Sequence, residues 1–427
     1  MLLRFEVANH RSILKPAELS MIAVDEDRAA TRGFDLLNER VLTVAGIYGP
    51  NASGKSNVIS AITWLSQAVG TSLRSWEQVI PRDPFRFARG PETPSEFEVE
   101  LVVEGVRYAY HVEFDDSKVL FETLHSYPER RRRALFVREG QEIHFRRGLG
   151  TLAGTRELLT PTTLALSAAM RFNDPEVQPF GRHLAGMRVF GTRRVAFAGR
   201  VRSPSLGLGI TERLFYTAGA PAQATLFDDS ELGLPDQREA ALALLRFADL
   251  GIDDVKVIEN PDIGASGQPR RELLLIHRAA GEALPFNLPD ESAGTLTWLA
   301  LIGPALAALR GGEIMLFDEI DASLHPRLSA RLLELFQDPV TNPRGAQLIF
   351  TTHDTSLLGH LNRDEVWLTD KAEDGATSLT ALAEFGGDKV RRSLNLEKAY
   401  LQGRFGAVPE LDQVTVRRVL GELPAAG

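Results

Sequence analysis

Hydrophobic positions change their period along the chain and divide it into a β-rich first third, a less regular middle and an α/β last third. Val41 to Tyr48 is an apolar run that stops at Gly49. Val58, Ile59, Ile62, Leu65 and Val69 then recur at helical spacing, so this stretch predicts strand, loop and helix. Phe97, Val99, Leu101 and Val103 alternate with their neighbours, Glu104-Gly105 supplies a turn, and Val106, Tyr108, Tyr110, Val112 and Phe114 alternate again, which predicts a β-hairpin. Val119 to Leu124, Ala134 to Val137 and Ile143 to Phe145 extend it into an antiparallel sheet. Residues 150–285 read as short helices between Gly/Pro-rich breaks such as Ser203 to Gly209 and Pro261 to Pro269. Beyond them the pattern predicts a helix over 292–309, a strand over 314–317, a helix over 328–336 and strands over 347–350 and 365–368, the alternation that builds a parallel sheet covered on its faces.

This division predicts an N-terminal lobe over 1–150, a helical and irregular insertion over 151–285 and a C-terminal lobe over 286–427, with no internal repeat. At 427 residues, 44% hydrophobic and 25% charged, the chain has the composition of a globular protein with a sizeable core. The longest apolar stretch, Leu296 to Leu309, is interrupted by Thr297, Gly303 and Pro304 and reads as a buried helix, so no membrane contact is expected. Arg4 and Glu6 among the first apolar residues argue against a secretory segment, and zero cysteines exclude disulfides and thiolate chemistry. A cytoplasmic location is the expectation.

The formal net charge of −9 disfavours generic polyanion binding. One segment departs from it. Val177 to Ile210 holds no Asp or Glu but carries Arg182, Arg188, Arg193, Arg194, Arg200 and Arg202, a candidate contact for nucleic acid or for an acidic partner protein. The run Arg130 to Arg133 reads as a solvated turn.

Gly49-Pro50-Asn51-Ala52-Ser53-Gly54-Lys55-Ser56 fits G-x-x-x-x-G-K-[ST], between a strand and a helix as its chemistry demands. Its backbone N–H groups would wrap phosphates, Lys55 would reach the β- and γ-phosphates, and Ser56 would ligate Mg²⁺. Ile314 to Phe317 ends in Asp318 and Glu319. Alone, such a pair can cap a helix; beside Lys55, Asp318 is expected to hold Mg²⁺ through water and Glu319 to polarise the attacking water. Ser292-Ala293-Gly294-Thr295 opens a helix where free N–H groups can receive an anion, although Ser292 alone would be an ordinary N-cap. Phe350-Thr351-Thr352-His353-Asp354 ends another strand, which would put the His353 imidazole near the γ-phosphate.

GPNASGKS, ESAGT, IMLFDEIDASLHP and FTTHD occur in the order found in ABC-type ATPases, and their spacing resembles the SMC, RecF and OLD-like heads. More narrowly, RFEVANHRSI, SEFEVELVVEGVRYAYHVEF, ALFVRE and EKAYLQGRFGAVPEL resemble the bacterial OLD-like AAA ATPases of phage-defence, or abortive infection, loci, a likeness spanning nearly the whole chain. The resemblance implies an α/β P-loop NTPase fold: an ABC-ATPase-like head with an antiparallel β-lobe, a mixed or parallel core sheet and a helical signature lobe. It implies ATP and Mg²⁺ as cofactors and a head-to-tail homodimer or higher homo-oligomer. In such a dimer, one subunit's Ser292 to Thr295 closes on the nucleotide held by the other subunit's Lys55.

By position, the resemblance assigns Arg11 and Asn51, with Ser53, Gly54, Lys55, Ser56 and Asn57, to the nucleotide, Asp321 to a dimer-contact loop, and Glu319 and His353 to catalysis. Gln78 is the candidate for the Mg²⁺-sensing glutamine. Ala293 and Thr295 depart from the Gly and Gln usual in transporters. Long heptads are missing, and the stretch after His353 is too short for the nuclease of OLD proteins, so a separate effector protein is expected. The leading expectation is an ATP-hydrolysing switch in phage defence. A RecF-like DNA-binding repair clamp and a slowly hydrolysing nucleotide-sensing scaffold are the alternatives.

Overall fold

The computed structural model describes residues 1–25, 28–34, 39–191, 196–197, 200–201, 205–216, 237–248, 251–263, 269–385 and 396–405. A seven-stranded antiparallel sheet takes the spatial order Glu142–Phe145, Arg133–Glu139, Val119–Tyr127, Val106–Phe114, Ser95–Val103, Leu2–Ala8, Ala17–Ser20. A six-stranded sheet takes the order Arg188–Gly191, Ile314–Asp318, Gln347–Thr351, Val44–Tyr48, Val366–Lys371, Thr377–Ala381. Its first five strands are parallel, and the last closes an antiparallel hairpin.

Alternation along the six-stranded sheet explains its burial on both faces. Ala45, Ile47, Ile314, Leu316, Ile349 and Trp367 join one hydrophobic cluster, while Val44, Tyr48, Met315, Phe317, Leu348, Phe350, Val366 and Leu368 join the other. Successive side chains point to opposite faces, so a strand covered on both sides must be apolar throughout, as these are. The 21-residue helix Lys55–Ser75 covers the first face and fills the space toward the antiparallel sheet. There Trp64 stacks on Phe97 and Phe114 with ring centroids 4.9 and 4.8 Å apart. The 19-residue helix Ala293–Gly311 covers the second face. It is the one described helix long and apolar enough to cross a bilayer, and its Trp298, Leu299, Leu301 and Ile302 are buried in the core.

The expected run Val41 to Tyr48 divides at Thr43. Glu39–Leu42 pairs with Thr31–Phe34, and Val44–Tyr48 enters the core sheet. The Thr43 hydroxyl donates to the Ala30 carbonyl at 3.0 Å and holds the division. The middle of the chain holds more regular structure than its breaks predict. Ser205–Tyr216 is helical through Gly207 and Gly209, because Thr211 locks it to the Ala293–Gly311 helix. Ile252–Ile263, Pro269–Ala279 and Glu282–Asn287 form a three-stranded antiparallel sheet. Its tight turn uses Ala280 and Gly281, both at positive φ (52° and 84°). Arg188–Gly191, from the same part of the chain, forms the edge of the core sheet.

The antiparallel lobe is tied to the chain that follows it by a fully buried Glu122. Its carboxylate accepts from Tyr110 Oη (2.8 Å) and from the N–H groups of Ala165 (2.6 Å) and Leu166 (2.8 Å). The equally buried Arg138 lies 3.5 Å away and donates onward to the Gly140, Thr163 and Thr160 carbonyls. Burial pushes the Glu122 carboxyl up, against the opposing pull of Arg138. Glu122→Ala would strand the guanidinium and two N–H groups, and is expected to cost about 3–5 kcal/mol. Equilibrium urea unfolding checks this through a lowered midpoint.

Candidate nucleotide site

The strand Val44–Tyr48 delivers its C-terminal end into the phosphate loop. Gly49 (φ 151°), Ala52 (φ 64°) and Gly54 (φ 106°) let that loop fold back on itself before the helix starts at Lys55. No side chain caps the helix and its first turn carries no acid, so the first N–H groups and the positive end of the helix dipole face the loop unopposed. Asn51 is exposed and Ser56 half-buried. Ser53 is buried and its hydroxyl is shared with Thr369 (2.6 Å), while Asn57 Nδ2 donates to Ser12 Oγ (2.5 Å). These last two side chains therefore shape the loop from behind, a different position from the direct nucleotide contact expected of them.

Lys55 is 5% exposed and donates from Nζ to the carbonyls of Gly49 (2.8 Å) and Pro50 (3.1 Å). His353 Nδ1 lies 3.4 Å from the same ammonium. Burial lowers the Lys55 pKa to about 8, against the opposing pull of Asp321, Glu319 and Asp318. Burial, then the Lys55 charge, also holds His353 below the usual imidazole range, which leaves Nδ1 able to accept from the ammonium.

Parallel pairing fixes the carboxylates. Gln347–Thr351 lies between Val44–Tyr48 and Ile314–Asp318, so Gly49, Asp318 and Thr352 all emerge from the same edge of the sheet. Thr351 Oγ1 donates to Asp318 Oδ1 (2.7 Å) and accepts from the Glu319 N–H (2.8 Å). Glu319 is thereby held at φ 57°, ψ 61°, a left-handed conformation unusual for a non-glycine residue, with its side chain half-buried beyond the strand end. Asp321 Oδ1 accepts from Thr352 Oγ1 (2.7 Å) and from the His353 N–H (3.2 Å), joining the two neighbouring loops.

Arg11 stands on a positive-φ turn (φ 52°) beside the phosphate loop. Its backbone N–H donates to the Asp83 carbonyl (2.6 Å) and its Nε to Asp83 Oδ2 (3.1 Å). Gln78 is not brought to the site. It follows the C-terminus of the Lys55–Ser75 helix, whose 21 residues span about 30 Å, so it cannot share a metal with Ser56 in the same chain. No sequence signal marked Thr369 as a residue behind the loop, and Thr351, although part of the FTTHD motif, had no assigned role.

Ser292 is the N-cap of the Ala293–Gly311 helix and accepts from the Thr295 N–H at 3.1 Å. Ser292, Ala293 and Gly294 are exposed, and Thr295 is buried. Because this helix and the Lys55 helix cover opposite faces of the core sheet, they do not pack on one another within one chain. Arg182 is exposed and Arg188 pairs with Glu313 at 3.9 Å. Arg200 begins a two-residue strand, while Arg193, Arg194 and Arg202 lie outside the described residues. Arg130 to Arg133 are exposed around a turn.

Known structures similar to this chain include an SMC head bound to the C-winged helix domain of ScpA, at 16% identity and a TM-score of 0.43, with 89% of this chain and 97% of that one covered. An SMC head domain from Thermotoga maritima aligns at 13% identity and a TM-score of 0.40, with 89% and 98% covered. A Pyrococcus furiosus Smc head with an extended coiled coil, bound to the C-terminal domain of ScpA, aligns at 16% and 0.41, with 94% and 98% covered. No curated protein matches the sequence. The model of a family described as "AAA domain, putative AbiEii toxin, Type IV TA system" matches residues 44–359, from the phosphate-loop strand past His353. With that match over most of its length, and with the phosphate loop and both carboxylates at the ends of two parallel strands that flank Gln347–Thr351, the chain belongs to this AAA-domain family.

Proposed function

We propose that the protein hydrolyses ATP with Mg²⁺, closes on nucleotide as a head-to-tail homodimer, and uses that closure to hold or release a separate effector protein in phage defence. The observation that carries this reading is the meeting of Lys55, Asp318, Glu319 and His353 at one edge of the core sheet. Nucleotide phosphates would replace the Gly49 and Pro50 carbonyls as acceptors for Lys55 and would lie against the uncapped helix start. The donor set suits Mg²⁺, because the Ser56 hydroxyl and the Asp318 carboxylate are hard oxygen ligands. When bound, Mg²⁺ would offset phosphate charge. Glu319, held in a left-handed conformation just past the Asp318 strand, would orient the attacking water, and neutral His353 would contact the γ-phosphate.

Two features support composite sites made by two chains. The Ser292 end is exposed, and its helix lies across the core sheet from the Lys55 helix, so its anion-binding N-terminus is available to a neighbour. The family description names a putative toxin of a toxin–antitoxin system, which supports a separate partner protein; the defence role itself rests on the sequence resemblance.

Glu319→Gln keeps the side-chain shape but removes the base, so steady-state phosphate release is expected to fall at least about 100-fold while Mg·ATP still binds. Near-normal turnover would place the base elsewhere. The depressed Lys55 pKa gives a pH test. Below about pH 8 the ammonium is charged before nucleotide arrives; above it, binding must take up a proton, so Kd is expected to rise about tenfold per pH unit. Calorimetry in buffers of different ionisation enthalpy reads that proton directly, and Lys55→Met should abolish the dependence. Ser292→Arg should stop hydrolysis but spare ATP binding, because a bulky cation would block the anion site offered to the partner. Mixing it with Lys55→Ala protein should restore part of the activity, since a mixed dimer rebuilds one site. If the two variants co-assemble and the mixture stays inactive, Ser292 is an ordinary helix cap.

A further inference from the structure

The hairpin Val366–Lys371 and Thr377–Ala381 lies beyond the residues matched by the family model, yet it packs directly against both glycines of the phosphate loop. Its first strand pairs in parallel with Val44–Tyr48, so it runs toward the same sheet edge. Alternation puts Thr369 on the face of Trp367, which is the face covered by the Lys55 helix, and Thr377 sits opposite Lys371 on that same face. Both threonines are buried.

Their contacts fall on the two glycines that bound the loop. A Cβ on Gly49 would lie 2.4 Å from both the Thr369 carbonyl and its hydroxyl, and a Cβ on Gly54 would lie 2.2 Å from the Thr377 hydroxyl. Thr369 Oγ1 donates its one proton to the Tyr48 carbonyl (3.1 Å), so the Ser53 hydroxyl at 2.6 Å must be donating to Thr369. Thr377 Oγ1 likewise donates to the Ser53 carbonyl (2.7 Å) and must accept from Ser12 Oγ (2.7 Å), which accepts in turn from Asn57 Nδ2 (2.5 Å). Proton counting therefore gives one direction to the chain Asn57, Ser12, Thr377, Ser53. Aligned hydrogen bonds of this kind polarise and reinforce one another in a buried setting. A backbone bond from the Thr377 N–H to the Ser12 carbonyl (2.7 Å) fastens the hairpin to the Arg11 turn as well.

We propose that Thr369 and Thr377 are positioning residues, which hold the phosphate loop in its phosphate-accepting shape and thereby place nucleotide affinity under the control of the C-terminal hairpin. The proposal rests on the nucleotide-binding reading above for its consequence, but not for its physical content. The loop's N–H groups can converge on an anion only if its backbone stays in the strained conformation set by Gly49, Ala52 and Gly54. Two threonine hydroxyls on the side away from the open edge supply that restraint.

The test uses full-length protein and the variants Thr377→Val, Thr369→Val and Thr377→Ser, with Asn342→Ala as a control. Asn342 makes a buried network with Phe336 and Ala346 at the opposite end of the core sheet. Hydrogen–deuterium exchange of peptides covering residues 49–57, without added nucleotide, should speed up about tenfold in both valine variants, the equivalent of one lost hydrogen bond. It should stay at the wild-type rate in Thr377→Ser and in the control. Mg·ATP titrated by calorimetry should show Kd raised about tenfold or more in the valine variants, restored by Thr377→Ser and unmoved by Asn342→Ala even if that change lowers Tm. Unchanged exchange in the valine variants overturns the proposal, as does faster exchange with unchanged Kd. If wild-type protein fails to bind Mg·ATP, the nucleotide reading fails, and the exchange experiment still decides whether the hairpin holds the loop.

Discussion

Everything at the candidate site hangs on the strand Gln347–Thr351 lying between its two parallel neighbours. Parallel register brings three strand ends out at one edge, and the Thr351 hydroxyl then ties Asp318 to the backbone of Glu319. Remove that middle strand and the phosphate loop and the carboxylate pair have no common reference. Parallel strands cannot be joined by tight turns, so each return needs a longer crossover, and the helices Lys55–Ser75 and Ala293–Gly311 supply apolar cover that the doubly buried strands require.

The same edge concentrates charge at a cost in desolvation. Lys55 is nearly buried, and its ammonium is satisfied by loop carbonyls and His353 while three carboxylates stand near enough to oppose its pKa shift. A cation held this way is restrained without being permanently neutralised by a carboxylate bonded to it. Neutral backbone acceptors yield more readily to phosphate than a direct ion pair would. Local strain at Glu319 is tolerated because the Thr351 hydroxyl holds its backbone N–H in place.

On the other face of the sheet, the Ala293–Gly311 helix carries Pro304 in its interior. Thr211 inserts its hydroxyl between the Leu299 carbonyl (2.6 Å) and the Gly303 N–H (2.8 Å), replacing one rung of the helix ladder just before the proline. A Cβ at Gly303 would lie 2.5 Å from the Thr211 backbone, so only glycine admits so close an approach. The helix bearing Ser292 is thus keyed to the Ser205–Tyr216 helix by a polar contact as well as by apolar packing.

Much of this was readable along the chain because it depends on local chemistry. Gly49 to Ser56 must be a loop opening a helix, the apolar runs ending at Tyr48, Phe317 and Phe350 must be doubly buried strands, and Glu104-Gly105 must turn between alternating strands. The sequence by itself could not determine partners set by strand order. Gln78 looked eligible as a metal ligand until the length of one helix carried it away from Ser56. Thr369 and Thr377 looked like ordinary strand residues until pairing of the C-terminal hairpin with Val44–Tyr48 laid them against Gly49 and Gly54. The helix at Ser205–Tyr216 overrode its own glycines through its contact with Gly303. Periodicity records which way each side chain faces its own backbone; only the tertiary structure decides what stands opposite it, because that depends on contacts between residues hundreds of positions apart.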